Sequence, residues 1–253
     1  DNTKVKVEYS DDGGGTWYDP DLISVTPDAG TTDLDDAQTY QIGTVDAIDT
    51  SVGATQLTIV WNTKSATNGN GAIANAQSDI QVRVTPNDSS ENGSVQTTAN
   101  FSIDNQIPTI STRATSDLDG DGYIDAMHIT FSENIDDTFV AAGDFDIAGV
   151  TGEAFSSTTN SDTADDTDIY ITFTDGVLAS DSTANLTYTA GTFVDLYGNA
   201  LANNGPTAST DGAGPAIITV VAGDGVSFLA GIDDDDTVTV TFSEATNSPA
   251  IHA

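Results

Sequence analysis

The sequence predicts an all-β protein built from tandem antiparallel β-sandwiches, of which the last is incomplete. Three observations lead to this prediction. Apolar and polar residues alternate with a period of two along many short segments, and helical periodicity is almost absent. These segments are rich in Thr, Val, Ile and aromatic residues and are bounded by Gly, Asp and Asn. A short motif also recurs after about one domain length.

Seven segments show the alternation most clearly and are predicted to be strands. They are KVKVEY (Lys4–Tyr9), QLTIVW (Gln56–Trp61), DIQVRV (Asp79–Val84), HITFSE (His128–Glu133), DIYITF (Asp168–Phe173), NLTYTA (Asn185–Ala190) and TVTVTF (Thr237–Phe242). Many short strands separated by turn residues are typical of antiparallel sandwiches.

Two proline-containing segments divide the strand series. SIDNQIPTI (Ser102–Ile110) ends one series and begins another, and STDGAGPAI (Ser209–Ile217) does the same further along. The motif TFSE follows each boundary, at Thr130 and at Thr241, a separation of 111 residues. A repeat of this length fits a tandem of immunoglobulin-sized sandwiches.

We therefore expect one sandwich over residues 1–105, a second over 106–210 and the start of a third over 211–253. The third unit contains only its first strands, and a partial sandwich does not bury its own core. It is either a fragment of a longer array or is completed by another chain through strand addition. Since the sequence has neither an initiator Met nor a signal peptide, we expect a mature product or an excised piece.

The charge balance excludes two classes of partner. Five Lys and Arg stand against forty Asp and Glu, a net charge of −35. Such a surface repels nucleic-acid phosphates and anionic membranes, since both are bound by Lys and Arg. No apolar run reaches membrane-spanning length, so no membrane insertion is expected. The absence of Cys removes disulfides and thiolate metal sites.

The acidic residues are thirty-five Asp and only five Glu. Asp favours turns and lines oxygen-rich metal loops, so the bias points to a turn-rich β protein that holds divalent cations. Bound cations would also relieve the self-repulsion of so much like charge.

The segment DLDGDGYID, Asp117–Asp125, has the ligand spacing of a calcium loop. EF-hand loops take ligands from positions 1, 3, 5, 7, 9 and 12 and place a Gly at position 6, which here is Gly122. The expected Ca²⁺ ligands are Asp117, Asp119, Asp121, the backbone carbonyl of Tyr123, and Asp125. The alternative interpretation is a solvated acidic turn.

The loop differs from an EF-hand at its twelfth position and at its flanks. Position 12 is His128 rather than a bidentate Glu, and neither STRATS nor AMHITFSE has the pattern of a helix. His128 is predicted to face outward on a strand whose Met127 and Ile129 point inward. We therefore expect a static clamp, completed by an oxygen from elsewhere such as Asp104 or Asn105, rather than a calcium sensor.

Three further acidic groups are DFD (Asp144–Asp146), DTADDTD (Asp162–Asp168) and DDDD (Asp233–Asp236). The tetra-Asp run precedes the second TFSE strand, as Asp125 precedes the first, and is a candidate analogue of the calcium loop. It lacks the alternating spacing and the Gly. DTADDTD is predicted to be a solvated polar loop.

Two other motifs are predicted to be structural. SDDGGGTW (Ser10–Trp17) matches the Asp-box pattern, a β-hairpin whose Asp12 caps the turn while Trp17 packs beneath it in the first unit's core. DLYGNAL predicts a tight turn with Gly198 or Asn199 in the left-handed conformation.

The sequence carries no recognisable catalytic constellation, and we expect no enzymatic activity. The histidines are His128 and His252, and Cys is absent. Neither a Gly-x-Ser-x-Gly elbow nor a phosphate-binding glycine loop with its Lys is present.

Three successive segments, ITFSENID, DIYITFTDG and FVDLYGNAL, resemble landmarks of bacterial Ig-like domains from S-layer proteins and large surface adhesins. The resemblance covers Gln106–Thr210 and restarts in the third unit. The first unit, with VEYSDDGGGTW and IVWNT, resembles fibronectin-type-III or Ig-like modules of the same kinds of protein. This resemblance implies secretion, display at the cell surface and repetition rather than chemistry.

The expected function is a structural repeat segment of a secreted, calcium-stabilised cell-surface protein that forms an S-layer-like lattice, a filament or a rod. Its expected partners are further copies of the chain or neighbouring repeats of the same polypeptide. One alternative is the stalk of an adhesin that binds a glycan or protein through regions outside this sequence. Another is an accessory β-sandwich array of a secreted hydrolase.

Overall fold

The structure is a computed structural model that describes residues 2–52, 56–65, 73, 75–225 and 236–245. Strands make up 43% of it and helix 5%, which confirms the prediction of an all-β fold. All paired strands in these ranges are antiparallel. Each of the seven predicted segments falls on a strand, with ends that differ by at most three residues.

The described strands are numbered in chain order. They are β1 Asn2–Ser10, β2 Leu22–Pro27, β3 Ile48–Asp49, β4 Leu57–Trp61, β5 Gln77–Asn87, β6 Gln96–Thr97, β7 Phe101–Ile103, β8 Ile110–Ser116, β9 Tyr123–Ile124, β10 Ala126–Phe131, β11 Phe145–Ile147, β12 Ala154–Phe155, β13 Asp168–Thr172, β14 Leu178–Ala179, β15 Asn185–Tyr188, β16 Asn204–Ala208, β17 Ile217–Gly223 and β18 Thr237–Phe242. Single 3-10 turns cover Thr50–Val52, Asp137–Phe139, Ala142–Asp144 and Thr159–Ser161.

The chain divides into two compact units, Asp1–Gln106 and Ile107–Ala253. The first boundary lies one residue from the predicted one. The segment 211–253 belongs to the second compact unit, and its identity as the start of a third sandwich stays a prediction.

The first unit packs one sheet against a smaller one. The larger sheet has the order β3-β1-β5-β6, with β7 also on β5, and the smaller sheet is β2-β4. Val5 and Val7 of β1 are buried together with Leu22 of β2. The rings of Tyr9 and Trp61 meet at 4.7 Å, and Tyr9 belongs to a second buried cluster with Ile80.

The second unit packs a four-stranded sheet, β12-β13-β10-β8, against a three-stranded one, β11-β15-β16. Ile129 and Ile169 are paired across β10 and β13 and are fully buried. From the opposite sheet, Phe145 and Tyr188 meet at 4.9 Å. β10 runs through this single core, and the Asp117–Asp125 loop lies directly before its first residue.

β10 has the predicted alternation. Met127, Ile129 and Phe131 are buried, whereas His128 is half-buried and Ser132 is exposed. Because the period of a strand is two, the residues on one face of β10 enter the core and those on the other do not.

The two TFSE motifs occupy the same place in two strand pairs. Phe131 of β10 lies opposite Ile110 of β8, and Phe242 of β18 lies opposite Ile217 of β17. In the second pair, apolar side chains on both faces are solvent-exposed. They are Ile217, Ile218, Val220, Val221, Val238, Val240 and Phe242.

Candidate metal centre

The predicted calcium loop connects two strands. β8 ends at Ser116 and β9 begins at Tyr123, so no helix flanks the loop, as predicted. Gly120 and Gly122 have φ angles of +78° and +100°, which only glycine adopts without strain. The turn at Gly122 is also crowded, because an added Cβ would lie 2.9 Å from the Cβ of Ser243.

Backbone N–H groups orient the carboxylates of the loop. Gly120 and Gly122 donate to the two oxygens of Asp117, at 2.7 and 2.9 Å. Asp121 donates to Asp119 Oδ1 at 3.2 Å, and Tyr123 donates to Asp121 Oδ1 at 2.9 Å. These local bonds explain why the sequence spacing is sufficient to shape the loop.

Three of the predicted ligands are brought together. Asp117, Asp119 and Asp121 each place one carboxylate oxygen so that all three lie within 4.8 Å of one another. Since Ca²⁺–oxygen bonds are about 2.3–2.6 Å long, one ion fits between oxygens at this spacing. Asp117 is half-buried, while Asp119 and Asp121 are exposed. This group can therefore hold a metal ion.

Asp125 lies beside this group and is tied to the same loop. Its Oδ1 accepts the N–H of Leu118 at 2.9 Å. Burial raises the pKa of Asp125, the Leu118 N–H opposes the rise, and the charges of Asp119, Asp175 and Asp117 add to it. A carboxylate held among like charges in this way favours a neutralising cation.

Tyr123 begins β9, where it pairs with Ala179 of β14. Its ring is exposed, and its N–H is engaged by Asp121. The role of its carbonyl as a ligand stays a prediction.

Mutual repulsion also acts on Asp119. The N–H of Asp121 lowers the pKa of Asp119, but loss of solvation and the charges of Asp121, Asp175 and Asp117 outweigh it, so that the pKa is raised. The loop thus concentrates negative charge that its backbone donors only partly offset.

Asp175 is an acidic neighbour that the sequence reasoning missed. It is exposed and follows β13, and its charge acts on both Asp119 and Asp125. The sequence at this position contains an Asp-Gly pair at residues 175–176, which is typical of an ordinary turn and does not indicate a neighbour of the calcium loop. Only the pairing of strands brings this turn to the loop.

His128 does not close the loop, as predicted. Its ring stacks on that of Tyr170 at 4.4 Å, and its Nε2 lies 2.5 Å from Asp168 Oδ2. This position is set by β10, where His128 is directly paired with Tyr170 of β13.

The linker residues proposed to complete the loop are engaged elsewhere. Asn105 donates its side-chain amide to the carbonyl of Ile73 at 2.6 Å and contacts Thr63. Asp104 accepts the N–H of Gln106 at 2.8 Å. A contribution from Asp104 to the calcium loop stays a prediction, and the amide of Asn105 is already used within the first unit.

The other acidic groups differ in outcome. DTADDTD forms a loop that leads into β13, and within it carboxylate oxygens of Asp162, Asp166 and Asp168 converge within 4.8 Å. DFD forms no such convergent group in the part of the chain that the structure describes. Of the tetra-Asp run, residues 233–235 lie outside the described residues.

The Asp-box hairpin has the predicted cap. The N–H of Thr16, followed by the hydroxyl of Ser10, lowers the pKa of Asp12 to about 2. Trp17 lies under the turn and donates its Nε1–H to the carbonyl of Gly14 at 3.1 Å. Its indole packs on the guanidinium of Arg83 at 4.3 Å rather than in the core, because this cation covers the ring from the neighbouring strand.

The DLYGN turn is structural, as predicted. The buried Asp195 accepts N–H groups from Tyr197 and Asn199 at 2.8 Å and the Asn199 amide at 2.7 Å. Gly198 is the left-handed residue, with φ of +86°.

Comparison with known proteins adds no information about these features. No family model matches the chain, and no curated protein or solved structure is significantly similar to it. Within the described ranges, no helix is both long and apolar enough to cross a membrane.

Proposed function

We propose that this chain is a structural segment of a secreted, calcium-stabilised cell-surface protein. In this proposal, tandem Ig-like sandwiches form an S-layer-like lattice, a filament or a rod. The observation that carries it is the convergence of Asp117, Asp119 and Asp121 in a loop whose backbone N–H groups orient the carboxylate of Asp117.

The ligand chemistry favours Ca²⁺ over other divalent ions. All candidate ligands are hard oxygens, which suit Ca²⁺, Mg²⁺ and Mn²⁺ rather than thiolate- or imidazole-seeking metals. Ca²⁺ accepts about six to eight oxygens in flexible geometry, whereas Mg²⁺ demands a near-ideal octahedron. A surface loop with several carboxylates at alternate positions meets the first requirement better.

The loop is connected to the second strand pair of the same unit, which suggests a mechanical role. The buried Ser180 donates its N–H to the carbonyl of Gly122 at 3.0 Å and its hydroxyl to that of Ser243 at 2.8 Å. Ser243 follows β18 directly. An ion that orders the loop would therefore also order the start of the predicted third repeat.

The exposed β17–β18 pair supports the proposal of self-association or of contact with neighbouring repeats. Val220 and Val238 are 61% and 68% exposed on a pair of strands that has free edges in the described ranges. Apolar exposure of this kind marks an interaction surface. Sedimentation of wild type and of a Val238→Asp variant tests it: self-association that is unchanged by the substitution contradicts this assignment.

Calcium dependence is tested by thermal unfolding of wild type, Asp121→Ala and the control Asp146→Ala, each with calcium and with chelator. Asp146 is an exposed aspartate of β11 outside the convergent groups. At a calcium concentration about a hundredfold above Kd, binding stabilises by about 2.7 kcal/mol. At about 2–4 °C per kcal/mol, the expected loss of Tm on chelation is about 5–10 °C.

The transition of each unit can be followed separately. Both tryptophans, Trp17 and Trp61, lie in the first unit, whereas the calcium loop lies in the second. Chelation is expected to lower the transition seen by circular dichroism more than the one seen by tryptophan fluorescence. If chelation leaves both transitions of wild type unchanged, the proposal of a calcium-stabilised segment is wrong. Electron microscopy of native material then distinguishes a lattice from a filament or rod.

A further inference from the structure

A second group of carboxylates lies where two loops of the second unit meet. One loop follows β10 and the other precedes β13. The N–H of Ile135 donates to the carbonyl of Asp166 at 2.8 Å, and the side-chain amide of Asn134 donates to the carbonyl of Asp165 at 3.1 Å. These bonds connect the two loops. The acidic side chains at their junction are therefore held in place rather than free in solvent.

Two side chains of the loop before β13 converge there with that of Asp168, the first residue of β13. Asp162, Asp166 and Asp168 are half-buried, and one oxygen of each lies within 4.8 Å of the others. Asp137 comes from the other loop, where its N–H donates to Asp165 Oδ1 at 3.2 Å. We refer to Asp137, Asp162, Asp166 and Asp168 as the Asp137 cluster.

An independent observation concerns the hydrogen bonding of these carboxylates. Both carboxylate oxygens of Asp137 are covered from solvent, and neither has a hydrogen-bond partner. The same is true of Oδ2 of Asp162. Buried carboxylate oxygens without donors are strongly unfavourable, and proteins satisfy them by pairing or by metal coordination.

The protein supplies little positive charge to this group. The charged groups that act on Asp137 are Asp162, Asp165 and Asp166, all of them acidic. Arg113 is the only Lys or Arg beyond residue 106. The covered carboxylate of Asp137 therefore lies beside other anions.

We propose that the Asp137 cluster is a second binding site for a divalent cation of the oxygen-liganded class, with Ca²⁺ as its ion. Hydrogen bonds already occupy Asp162 Oδ1, Asp166 Oδ1 and Asp168 Oδ2. The convergent oxygens of Asp162, Asp166 and Asp168 would contact the ion, and the covered carboxylate of Asp137 lies beside them. Backbone carbonyls or water complete the about six to eight oxygens that Ca²⁺ takes.

The neighbouring histidine positions one of these ligands. His128 Nε2 contacts Asp168 Oδ2 and so fixes the carboxylate of Asp168. The imidazole is itself held flat against Tyr170. An ion at the cluster would join the end of β10 to the start of β13 across the two loops, at a place distinct from the Asp117–Asp125 loop.

The proposal is tested by calorimetric titration of the whole chain with Ca²⁺. The variants are Asp137→Asn, Asp162→Asn and the control Asp146→Asn, and Asp121→Asn reports the calcium loop. Asn preserves the shape of Asp and removes its charge. We expect Asp137→Asn and Asp162→Asn each to lower the stoichiometry by one ion, with no change in Asp146→Asn and a separate loss of one ion in Asp121→Asn.

Terbium luminescence provides a second measurement of the same ion. Tyr170 lies next to His128 at the cluster, so Tyr170→Phe is expected to remove the sensitised emission that Asp137→Asn also removes. Tyr123→Phe is expected to remove only the emission of the calcium loop. Circular dichroism verifies that each variant is folded.

Two outcomes overturn the proposal. One is a stoichiometry that Asp137→Asn leaves unchanged. The other is an equal gain of stability for Asp137→Asn in calcium and in chelator, since this would identify Asp137 as an uncompensated acid rather than a ligand. Either result leaves the Asp121→Asn measurement, and with it the proposed calcium loop, unaffected.

Discussion

Ser132 and Ser243 make the same pair of hydrogen bonds, 111 residues apart in the chain. The hydroxyl of Ser132 accepts the N–H of Thr109, and that of Ser243 accepts the N–H of Ala216, both at 2.9 Å. Each serine also donates its own N–H back to the carbonyl of the same partner, at 2.9 Å. In both places the partner directly follows a proline. The serine of TFSE therefore closes the start of each strand pair.

Removal of either hydroxyl is expected to destabilise the second unit. Ser243→Ala and Ser132→Ala each leave one backbone N–H without its acceptor, at a cost of about 0.5–1.5 kcal/mol. Ser111→Ala, on the exposed face of β8, is the matched control. The measurement is urea unfolding followed by circular dichroism. Equal stabilities of all three variants and wild type would contradict a structural role for the motif.

Gly122→Ala is expected to be more harmful than Gly120→Ala. Both residues have positive φ, so each substitution costs about 1–2 kcal/mol from backbone strain. An added Cβ meets nothing within 4 Å at Gly120 but approaches Ser243 to 2.9 Å at Gly122. The difference in unfolding free energy between the two variants isolates this contact. No difference would mean that the loop and Ser243 are not packed together.

The aromatic core of the second unit predicts a large truncation effect. Phe193 is fully buried, and its ring lies 4.8 Å from Phe131 and 5.8 Å from Phe145. Phe193→Ala is expected to cost about 3–5 kcal/mol because it leaves a cavity among these rings. Exposed Phe139 is the control position, and Phe139→Ala is expected to cost much less. Thermal unfolding by circular dichroism checks both values.

Glu8 makes the first unit sensitive to acid. The bond from Arg83 lowers its pKa, burial opposes this, and Lys6 lowers it further, so that the folded-state pKa lies below the ordinary value of 4.5. The unfolded chain then binds more protons than the folded one, so this contribution is present above pH 4.5 and is lost as the pH falls through the folded-state pKa.

Glu8→Gln is accordingly expected to lower stability at pH 7 by about 1–2 kcal/mol, since it removes charge-assisted bonds to two cations. The difference from wild type should disappear in strong acid. The exposed Glu91→Gln is the matched control. Tryptophan fluorescence during urea unfolding at several pH values measures the effect, and a pH-independent difference would contradict this role of the ionised Glu8.

Several features were predictable because they depend on neighbours in the chain. The alternation of β10 and β13, the turn at Gly198 and the shape of the Asp117–Gly122 loop are all set within a few residues. In the loop, each aspartate accepts an N–H from two to five residues further along. Spacing and residue type are therefore sufficient evidence for such a feature.

Contacts between distant parts of the chain were not predictable in this way. Asp137 and Asp162 are brought together by the pairing of β10 with β13, and a run such as DTADDTD looks like any solvated loop until its neighbour is known. Trp17 is predicted to pack in the core of the first unit, but Arg83 covers it from the neighbouring strand. Asp175 reaches the calcium loop for the same topological reason.

By itself, the sequence determined an all-β fold, the repeat of the TFSE motif and a loop shaped to gather three carboxylates, since period, turn residues and local hydrogen bonds act over short chain distances. Only the tertiary structure decided which loop touches Ser243 and where buried carboxylates lack a partner. The physical reason is that burial and charge environment depend on which strands pair, and pairing joins residues that are far apart in the chain.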